Sequence, residues 1–319
     1  MILDILLFIA GVALVFKGSD FFVDASVTIG KLLRLPQVVI GGTLVSIATT
    51  TPELTVSIIA GIDKVPGLAV GNALGSVGAN IGLILALAAI VRPFVLSPGE
   101  FRWRSQAVLG LAALLFVMTA DLRLPQWRGF ILLGIGITYL FLDYRRGRSR
   151  YAEEGEVIGE TVDAKFKSRR SIISFFLLGV ALVIGGSNLL VTSGTAIAEA
   201  IGVPPLFIGL TMVAIGTSLP ELATAISAVR KRAFDLSVGN LIGANALNLT
   251  IVTGTAAAIS PLTLSRTTQI YTFPSILAML IVFFLLVRTK NRLVRWEAAL
   301  LMALYLAFIA GLAVLMPVQ

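Results

Sequence analysis

The chain has 319 residues, of which 57% are hydrophobic and only 13% are charged, and its mean hydropathy is +0.97. A soluble globular domain is closer to half apolar and a quarter charged, so this composition excludes one. The absence of Cys and His excludes disulfides, thiol nucleophiles, imidazole bases and zinc sites built from these residues. The net charge of +8 does not indicate nucleic acid, because no basic stretch is interleaved with aromatic residues.

Hydropathy predicts ten transmembrane helices, each of which needs about 20 apolar residues to cross the bilayer. In chain order they cover residues 3–29, 36–61, 66–91, 104–120, 125–143, 171–196, 204–229, 236–260, 269–288 and 294–316. The first span carries charged residues and no small-residue cleavage site follows it, so we expect it to be retained. Residues 144–170 form the one long polar stretch, and their mixed charge is typical of a solvated connector.

The positive charges between the predicted spans fall mainly on one side of the membrane. With residues 144–170 placed inside, twenty Lys and Arg residues lie on the inner side and only four on the outer side. Lys and Arg accumulate in short cytoplasmic loops. We therefore expect an integral membrane protein, in contact with membrane lipid, whose termini both lie outside and whose 144–170 connector is cytoplasmic.

An internal repeat relates the two sides of this connector. Shifting the sequence by 168 positions aligns residues 11–15 with residues 179–183. The same shift pairs Gly18 with Gly186, Pro36 with Pro204, Thr49 with Thr217, Pro52 with Pro220, Glu53 with Glu221, Asn72 with Asn240, Gly75 with Gly243, and Asn80 with Asn248. Such a match of polar and helix-breaking positions indicates a duplication, with halves at residues 1–143 and 171–319.

Each half contains five predicted spans, so the second half must begin on the opposite side of the membrane from the first. The sequence therefore predicts an all-α membrane protein with ten transmembrane helices in two inverted five-helix repeats. This architecture is typical of secondary transporters, in which interrupted helices form a binding site near the midplane. We expect a transporter and not an enzyme, without a resident cofactor and functional as a monomer.

Proline interrupts the second span of each half. The first half has Ala48-Thr-Thr-Thr-Pro-Glu53, and the second has Gly216-Thr-Ser-Leu-Pro-Glu221. Proline removes a backbone donor and displaces the carbonyl one turn earlier, and the hydroxyl residues can satisfy groups that are freed. The third span of each half adds glycines in Gly71-Asn-Ala-Leu-Gly-Ser76 and Gly239-Asn-Leu-Ile-Gly-Ala244, which would let helices approach closely.

Glu53 and Glu221 are the acids predicted to lie in the middle of a span. A carboxylate at this depth costs about 2.5–3.5 kcal/mol or more, so two at equivalent positions of a repeat indicate a function. No Lys or Arg lies at matching depth in the second or third span of either half. The sequence therefore predicts that a cation from outside the protein supplies the counter-charge.

The residues around the two glutamates indicate which cation. The predicted ligands are the carboxylates of Glu53 and Glu221, the amides of Asn80 and Asn248, and the hydroxyls of Thr49, Thr50, Ser76, Thr217 and Ser218. An all-oxygen site with two negative charges suits Ca²⁺, which accepts 6–8 oxygens in loose geometry, whereas transition metals normally recruit His or Cys. Asn72 and Asn240 are open to two interpretations, as ligands or as hydrogen-bonding residues between helices.

These motifs resemble the two α-repeats of the Ca²⁺/cation antiporter superfamily, especially its prokaryotic sodium/calcium exchanger-like members. The motif ending in Pro220-Glu221 has the form typical of the second repeat, and the motif ending in Pro52-Glu53 is a looser copy. The resemblance covers all ten predicted spans. It implies Ca²⁺ extrusion across a prokaryotic cell membrane by alternating access, with the first and sixth spans sliding past a rigid body of eight helices.

Two positions differ from the sodium-coupled members of that superfamily. Those members typically have an acid where this chain has Asn248 and a serine where it has Ala244. Because two glutamates can exchange two protons for one Ca²⁺ with balanced charge, we expect an H⁺/Ca²⁺ exchanger. The proton-coupled branch that places glutamate directly after a Gly-Asn motif is not matched, so Na⁺ remains the alternative counter-ion.

Two other classes of protein explain fewer of these sequence features. An intramembrane protease would also need a pair of carboxylates, but the usual aspartate motifs of such proteases are absent. A Ca²⁺ channel would explain the carboxylates without requiring an inverted repeat. Dependence of the flux on a counter-ion gradient separates a channel from an exchanger.

Overall fold

A computed structural model describes residues 2–95, 98–154, 168–200, 214–290 and 292–315. These residues are almost entirely helical. By length and composition, seven of the described helices could cross a membrane, and eight if a bent pair counts as one span. The prediction of an all-α membrane protein is confirmed, while ten spans and their inverted arrangement remain predictions.

The helices follow the predicted spans closely. In the first half they are α1 (Ile2–Leu33), α2 (Gln37–Ile40), α3 (Ser46–Thr49), α4 (Thr51–Ile62), α5 (Pro66–Ala79), α6 (Ala86–Val91), α7 (Pro98–Met118) and α8 (Gln126–Glu154). In the second half they are α9 (Arg169–Ala200), α10 (Ala214–Thr217), α11 (Leu219–Arg230), α12 (Phe234–Leu247), α13 (Thr253–Ile259), α14 (Phe273–Lys290) and α15 (Arg295–Leu315). Residues 204–213 of the predicted seventh span lie outside the described residues.

Some helices continue through turns of π-helix, which the hydropathy pattern does not show. These turns are Gly41–Val45, Asn80–Leu85, Asn248–Val252 and Thr268–Thr272. The turns at Asn80 and Asn248 begin at positions related by the 168-residue shift. Because π-helical turns inside α-helices occur frequently at functional sites, this pair of turns indicates that the two asparagines have a function.

Helix α8 extends beyond its predicted end at residue 143 and reaches Glu154, so the predicted connector begins as a helix. The guanidinium of Arg146, beyond the predicted end, lies 3.9 Å from the ring centre of Trp103 on α7. This cation–π contact stabilises the helical continuation. The part of the connector at residues 155–167 lies outside the described residues.

Within the described ranges, four two-residue strands pair across the halves: β1 (Phe94–Val95), β2 (Arg123–Leu124), β3 (Leu262–Thr263) and β4 (Arg292–Leu293). Strand β1 pairs with β4 and β2 with β3, both antiparallel. A shift of 168 residues converts β1 into β3, and a shift of 169 converts β2 into β4. Applied to the residue pairs of the β1–β4 ladder, these shifts give the residue pairs of the β2–β3 ladder. The two ladders between the halves are therefore equivalent.

Helices α1 and α9 cross at glycines that the repeat also relates to each other. A methyl group on Gly18 would lie 2.9 Å from the carbonyl oxygen of Gly179, and one on Gly186 would lie 3.0 Å from that of Gly11. The repeat relates Gly11 to Gly179 and Gly18 to Gly186, so these two contacts are equivalent. Small residues let membrane helices approach at backbone distance, as in GxxxG interfaces.

The centre of the protein is formed by α5 with α6 and by α12 with α13. The most apolar stretches of these two continuous helices are 72% and 78% buried, whereas those of α1 and α15 are each only 22% buried. A fully buried ion pair stands beside this centre, with Nε of Arg104 on α7 located 2.8 Å from Oδ1 of Asp143 on α8. Gly42 in the first π-helical turn lies against both side chains.

We predict that Gly186→Ala disturbs the crossing of α1 and α9, whereas Gly185→Ala does not. A methyl group on Gly186 would lie 2.9 Å from the amide nitrogen of Val15, while one on Gly185 meets no atom within 4 Å. Overpacking of this kind costs about 1–3 kcal/mol. Alanine for a helical glycine in open space is neutral or stabilises by up to about 1 kcal/mol.

The measurement is the unfolding of both variants in detergent. A lower unfolding temperature is expected for Gly186→Ala alone, and equal behaviour of the two variants would contradict the tight crossing.

Candidate cation-binding site

Two helix breaks at equivalent positions create the site. Thr50 (φ −80°, ψ 0°) separates α3 from α4, and Ser218 (φ −91°, ψ 5°) separates α10 from α11. The axes on either side of Thr50 differ by 44°. Each break is followed by a proline in the first helical turn, so the predicted interruptions are confirmed. Because proline has no N–H, the carbonyls of Ala48 and Gly216 lose their helical donors.

The two predicted carboxylates meet just after these breaks. Glu53 lies in the first turn of α4 and Glu221 in the first turn of α11, and both side chains are fully buried. The carboxyl groups are near enough that they would repel each other when both are ionised. Oε2 of Glu53 and both carboxyl oxygens of Glu221 have no hydrogen-bond partner among the described residues. None of the ion pairs found in the described part of the chain involves either glutamate.

The predicted hydroxyl ligands lie around these carboxylates. Ser76 of α5 donates to Oε1 of Glu53 at 3.4 Å, and Ser218 donates to the hydroxyl of Ser76 at 3.4 Å. Thr49 lies beside the carboxyl group of Glu221. The structure thus brings hydroxyls from both halves into one polar cluster.

Thr50, Thr217 and Asn248 are three further candidate ligands, and all are buried. Thr50 stands at the first helix break, and its Oγ1 has no partner among the side chains that the structure describes. Thr217 stands just before the second break and donates to Asn72 at 3.3 Å. Asn248 is fully buried where its π-helical turn begins.

Asn72 and Asn240 make the hydrogen bonds between helices that one of their two interpretations predicts, and their role as ligands remains open. Nδ2 of Asn72 donates to the backbone carbonyl of Glu53 at 3.0 Å, and its Oδ1 accepts from Thr217. Oδ1 of Asn240 accepts from Thr49 at 3.0 Å. The 168-residue shift of the repeat relates the bond Thr49–Asn240 to the bond Thr217–Asn72. Each joins a threonine before a helix break to an asparagine of the other half.

Asn80 and Asn248 offer free oxygens instead. Both side chains are fully buried, and each begins a π-helical turn. Oδ1 of Asn80 and both polar atoms of the Asn248 side chain have no partner within the described ranges. Both asparagines remain predicted ligands, and each has an oxygen that is available to bind an ion.

Sequence reasoning missed Asn245. Its Oδ1 accepts a hydrogen bond from Nδ2 of Asn80 at 2.9 Å, and the side chain is fully buried. A signal was present: Asn245 lies three residues before Asn248, on the same helix face, and the repeat pairs it with the apolar Val77.

The motif glycines divide into two groups. A methyl group on Gly243 would lie 2.8 Å from the carbonyl carbon of Gly42, and Gly239 lies against Val38, so α12 approaches the second span closely. The same expectation is wrong for Gly71 and Gly75, where a methyl group would meet no atom within 4 Å. These two glycines line a cavity of about 360 Å³ instead of a helix contact.

The acidic part of the site consists of two residues. No group of three or more Asp, Glu, His or Cys side chains that could hold a metal occurs among the residues described. A cation at this place would therefore take its remaining ligands from neutral oxygens, namely amides, hydroxyls and the carbonyls freed by proline. Such ligands suit hard cations.

Comparison with known proteins identifies the family. Residues 3–145 and 171–314 match the family described as sodium/calcium exchanger protein. The chain belongs to the sodium/calcium exchanger family. The two matched segments correspond to the two halves on either side of the connector, and the resemblance expected from the motifs is confirmed.

Relatives of this exchanger cover most of its length. It is 37% identical to inner membrane protein YrbG of Escherichia coli over 82% of this chain and 81% of that protein. It is 30% identical to sodium/calcium exchanger MaX1 of Methanosarcina acetivorans over 97% of this chain and 98% of that protein. A solved structure of the sodium-calcium exchanger NCX_Mj superimposes with a TM-score of 0.85 at 28% identity, over 98% of this chain and 99% of that chain.

We predict that Thr49→Val destabilises the exchanger and that Thr51→Val does not. Thr49 is buried and is the donor to Oδ1 of Asn240, whereas the hydroxyl of Thr51 is exposed and donates to the nearby backbone carbonyl of Ile47 in the same half. A buried acceptor left without its donor costs about 1–3 kcal/mol. Valine has nearly the same shape as threonine, so packing is preserved in both variants.

Unfolding in detergent with a calcium chelator measures the folded state without bound cation. If both valine variants unfold together with the unsubstituted protein, the bond between the halves contributes nothing to stability.

Proposed function

We propose that this exchanger moves Ca²⁺ across the membrane in exchange for protons, by alternating access to the Glu53–Glu221 site. The observation that carries the proposal is the pair of fully buried carboxylates, close enough to repel, with no described ion pair to neutralise them. A buried charge without a partner is strongly unfavourable. Two positive charges from a transported ion remove the penalty for both glutamates.

Ca²⁺ fits the donors around these glutamates. The proposed ligands are the nine residues predicted from the sequence, namely Glu53, Glu221, Asn80, Asn248, Thr49, Thr50, Ser76, Thr217 and Ser218. All offer oxygen, all are buried, and they come from both halves of the chain. Loose coordination by 6–8 oxygens is a property of Ca²⁺, whereas Mg²⁺ demands a tighter octahedron.

For the architecture, we propose ten spans in two inverted five-helix repeats, residues 1–143 and 171–319, joined by the 144–170 connector. The exchanged pairing of the β ladders and of the glycines on α1 and α9 supports a two-fold relation between the halves. The Lys and Arg distribution supports external termini and a cytoplasmic connector. We further propose that the protein functions as a monomer.

Protons are the proposed counter-ion because of charge balance and ligand count. Two protons on Glu53 and Glu221 carry the same charge as one Ca²⁺, so the two loads compete for one site. The second half offers few additional oxygens for other cations, since Ala244 has no hydroxyl and Asn248 has no charge.

Sodium is the second candidate counter-ion. The observation that favours it is the naming of MaX1 and NCX_Mj as sodium/calcium exchangers, since both match nearly the full length of this chain. In this alternative, the same two glutamates bind Ca²⁺ and the neutral oxygens take part in binding Na⁺.

We predict that Glu53→Gln and Glu221→Gln each reduce Ca²⁺ transport to the background of empty liposomes. Glutamine preserves the size of the side chain but leaves one negative charge for a divalent ion. Radioactive Ca²⁺ uptake into proteoliposomes measures the effect. Glu297→Gln is the matched control, because Glu297 is also a buried glutamate but accepts from the backbone of Val294 at the start of α15. Transport at the normal rate in either site variant would falsify the assignment.

We also predict that a pH gradient alone drives Ca²⁺ accumulation in sodium-free vesicles. Protons entering the site displace Ca²⁺ on one side, and Ca²⁺ displaces protons on the other. Asn248→Asp should strengthen any response to Na⁺, because it adds a charge at the place where the second half lacks one. Uptake that requires a Na⁺ gradient and ignores pH would replace protons by sodium as the counter-ion.

A further inference from the structure

The hydrogen bond between Asn80 and Asn245 has no counterpart in the other half. Nδ2 of Asn80 donates to Oδ1 of Asn245 at 2.9 Å. The repeat converts Asn80 into Asn248 and Asn245 into Val77. Since valine has no polar side-chain atom, Val77 cannot hold Asn248 in the same way. The two asparagines at equivalent positions therefore have different surroundings.

This bond decides which end of the Asn80 amide is available. A primary amide carries its oxygen and its nitrogen on one planar group, and rotation of that group exchanges their places. Only the oxygen can bind a cation. Because Asn245 presents an acceptor, the nitrogen of Asn80 is turned toward Asn245 and its oxygen is turned away. That oxygen is buried and has no hydrogen-bond partner among the described residues.

The location of Asn80 makes this orientation relevant to the two glutamates. Asn80 follows Ser76 by four residues on one face of the same continuous helix, and Ser76 donates to Oε1 of Glu53. Asn245 is fully buried, and its Nδ2 has no partner among the side chains described. Its contribution to the site is therefore confined to its acceptor oxygen.

We propose that Asn245 is a positioning residue for cation binding: by accepting from Asn80, it turns the amide oxygen of Asn80 toward the ion. The proposal rests on the proposed function of the Glu53–Glu221 site. Outer residues that orient a metal ligand typically contribute 10–100-fold to metal affinity. Asn245 would thus act on affinity through Asn80, without touching the ion.

Two substitutions at Asn245 separate the acceptor from the rest of the side chain. Asn245→Val places in the second half the residue that the first half has at Val77, and it removes the acceptor. Asn245→Asp retains the acceptor oxygen, removes only the unpartnered nitrogen, and adds a charge that attracts cations. If the valine variant is not stable, Asn245→Ala removes the acceptor without adding bulk.

The experiment measures Ca²⁺ binding to purified full-length protein by calorimetry, with unfolding in chelator as the measure of stability. Asn245→Val is expected to raise the dissociation constant for Ca²⁺ about 10–100-fold, whereas Asn245→Asp does not raise it. Binding by the valine variant as tight as that of the unsubstituted protein overturns the proposal. An equal loss in the valine and aspartate variants also overturns it, because the acceptor would then be irrelevant.

A double substitution tests whether Asn245 acts through Asn80. In the Asn80→Ala background, Asn245→Val should weaken binding no further, since the group that it orients is gone. Losses that multiply in the double variant would assign Asn245 a role independent of Asn80 and overturn the proposal. Absence of Ca²⁺ binding by the unsubstituted protein would instead overturn the proposed function itself.

Discussion

The burial of two glutamates beside each other is the constraint on which the rest of the site depends. Glu53 and Glu221 are fully shielded from solvent and lie near each other, and the described residues supply no ion pair to either. The opposite solution is present in the same protein, where Arg104 neutralises Asp143 in full burial. That pair joins α7 to α8. A site whose counter-charge comes from a transported ion can be filled and emptied, and only this second arrangement allows transport.

Because the chain is duplicated, the same sequence signals form both halves of the site. Proline breaks the helix after Thr50 and after Ser218, and each break places a glutamate in the next helical turn. The bonds Thr49–Asn240 and Thr217–Asn72 then join each break to the other half. The repeat also relates the two glycine contacts between α1 and α9 to each other, and it relates one β ladder to the other. These contacts between the halves occur in equivalent pairs, whereas the bond between Asn80 and Asn245 does not.

Much of this could be predicted from the sequence, because the signals are local. Hydropathy located the helices, proline located the breaks, and charge at bilayer depth located both glutamates. The π-helical turns at Asn80 and Asn248 could not be predicted, since hydropathy does not depend on which carbonyl an N–H reaches. The Arg104–Asp143 pair joins residues far apart in sequence. The glycine motifs look alike, yet Gly243 meets a backbone and Gly75 meets open space, because close approach depends on the partner helix as much as on the glycine.

Two departures from the repeat give the first half of the site oriented oxygens. Ser76 donates to Glu53, whereas its equivalent Ala244 has no hydroxyl. Asn80 is held by Asn245, whereas the polar atoms of Asn248 have no partner among the described residues. A cation between the two glutamates therefore meets prepared ligands on the side of Glu53 and less constrained ones on the side of Glu221. Because ion selectivity depends on the number and rigidity of ligands, the proposed function makes the second half the place where a single substitution can change which ion is exchanged for Ca²⁺.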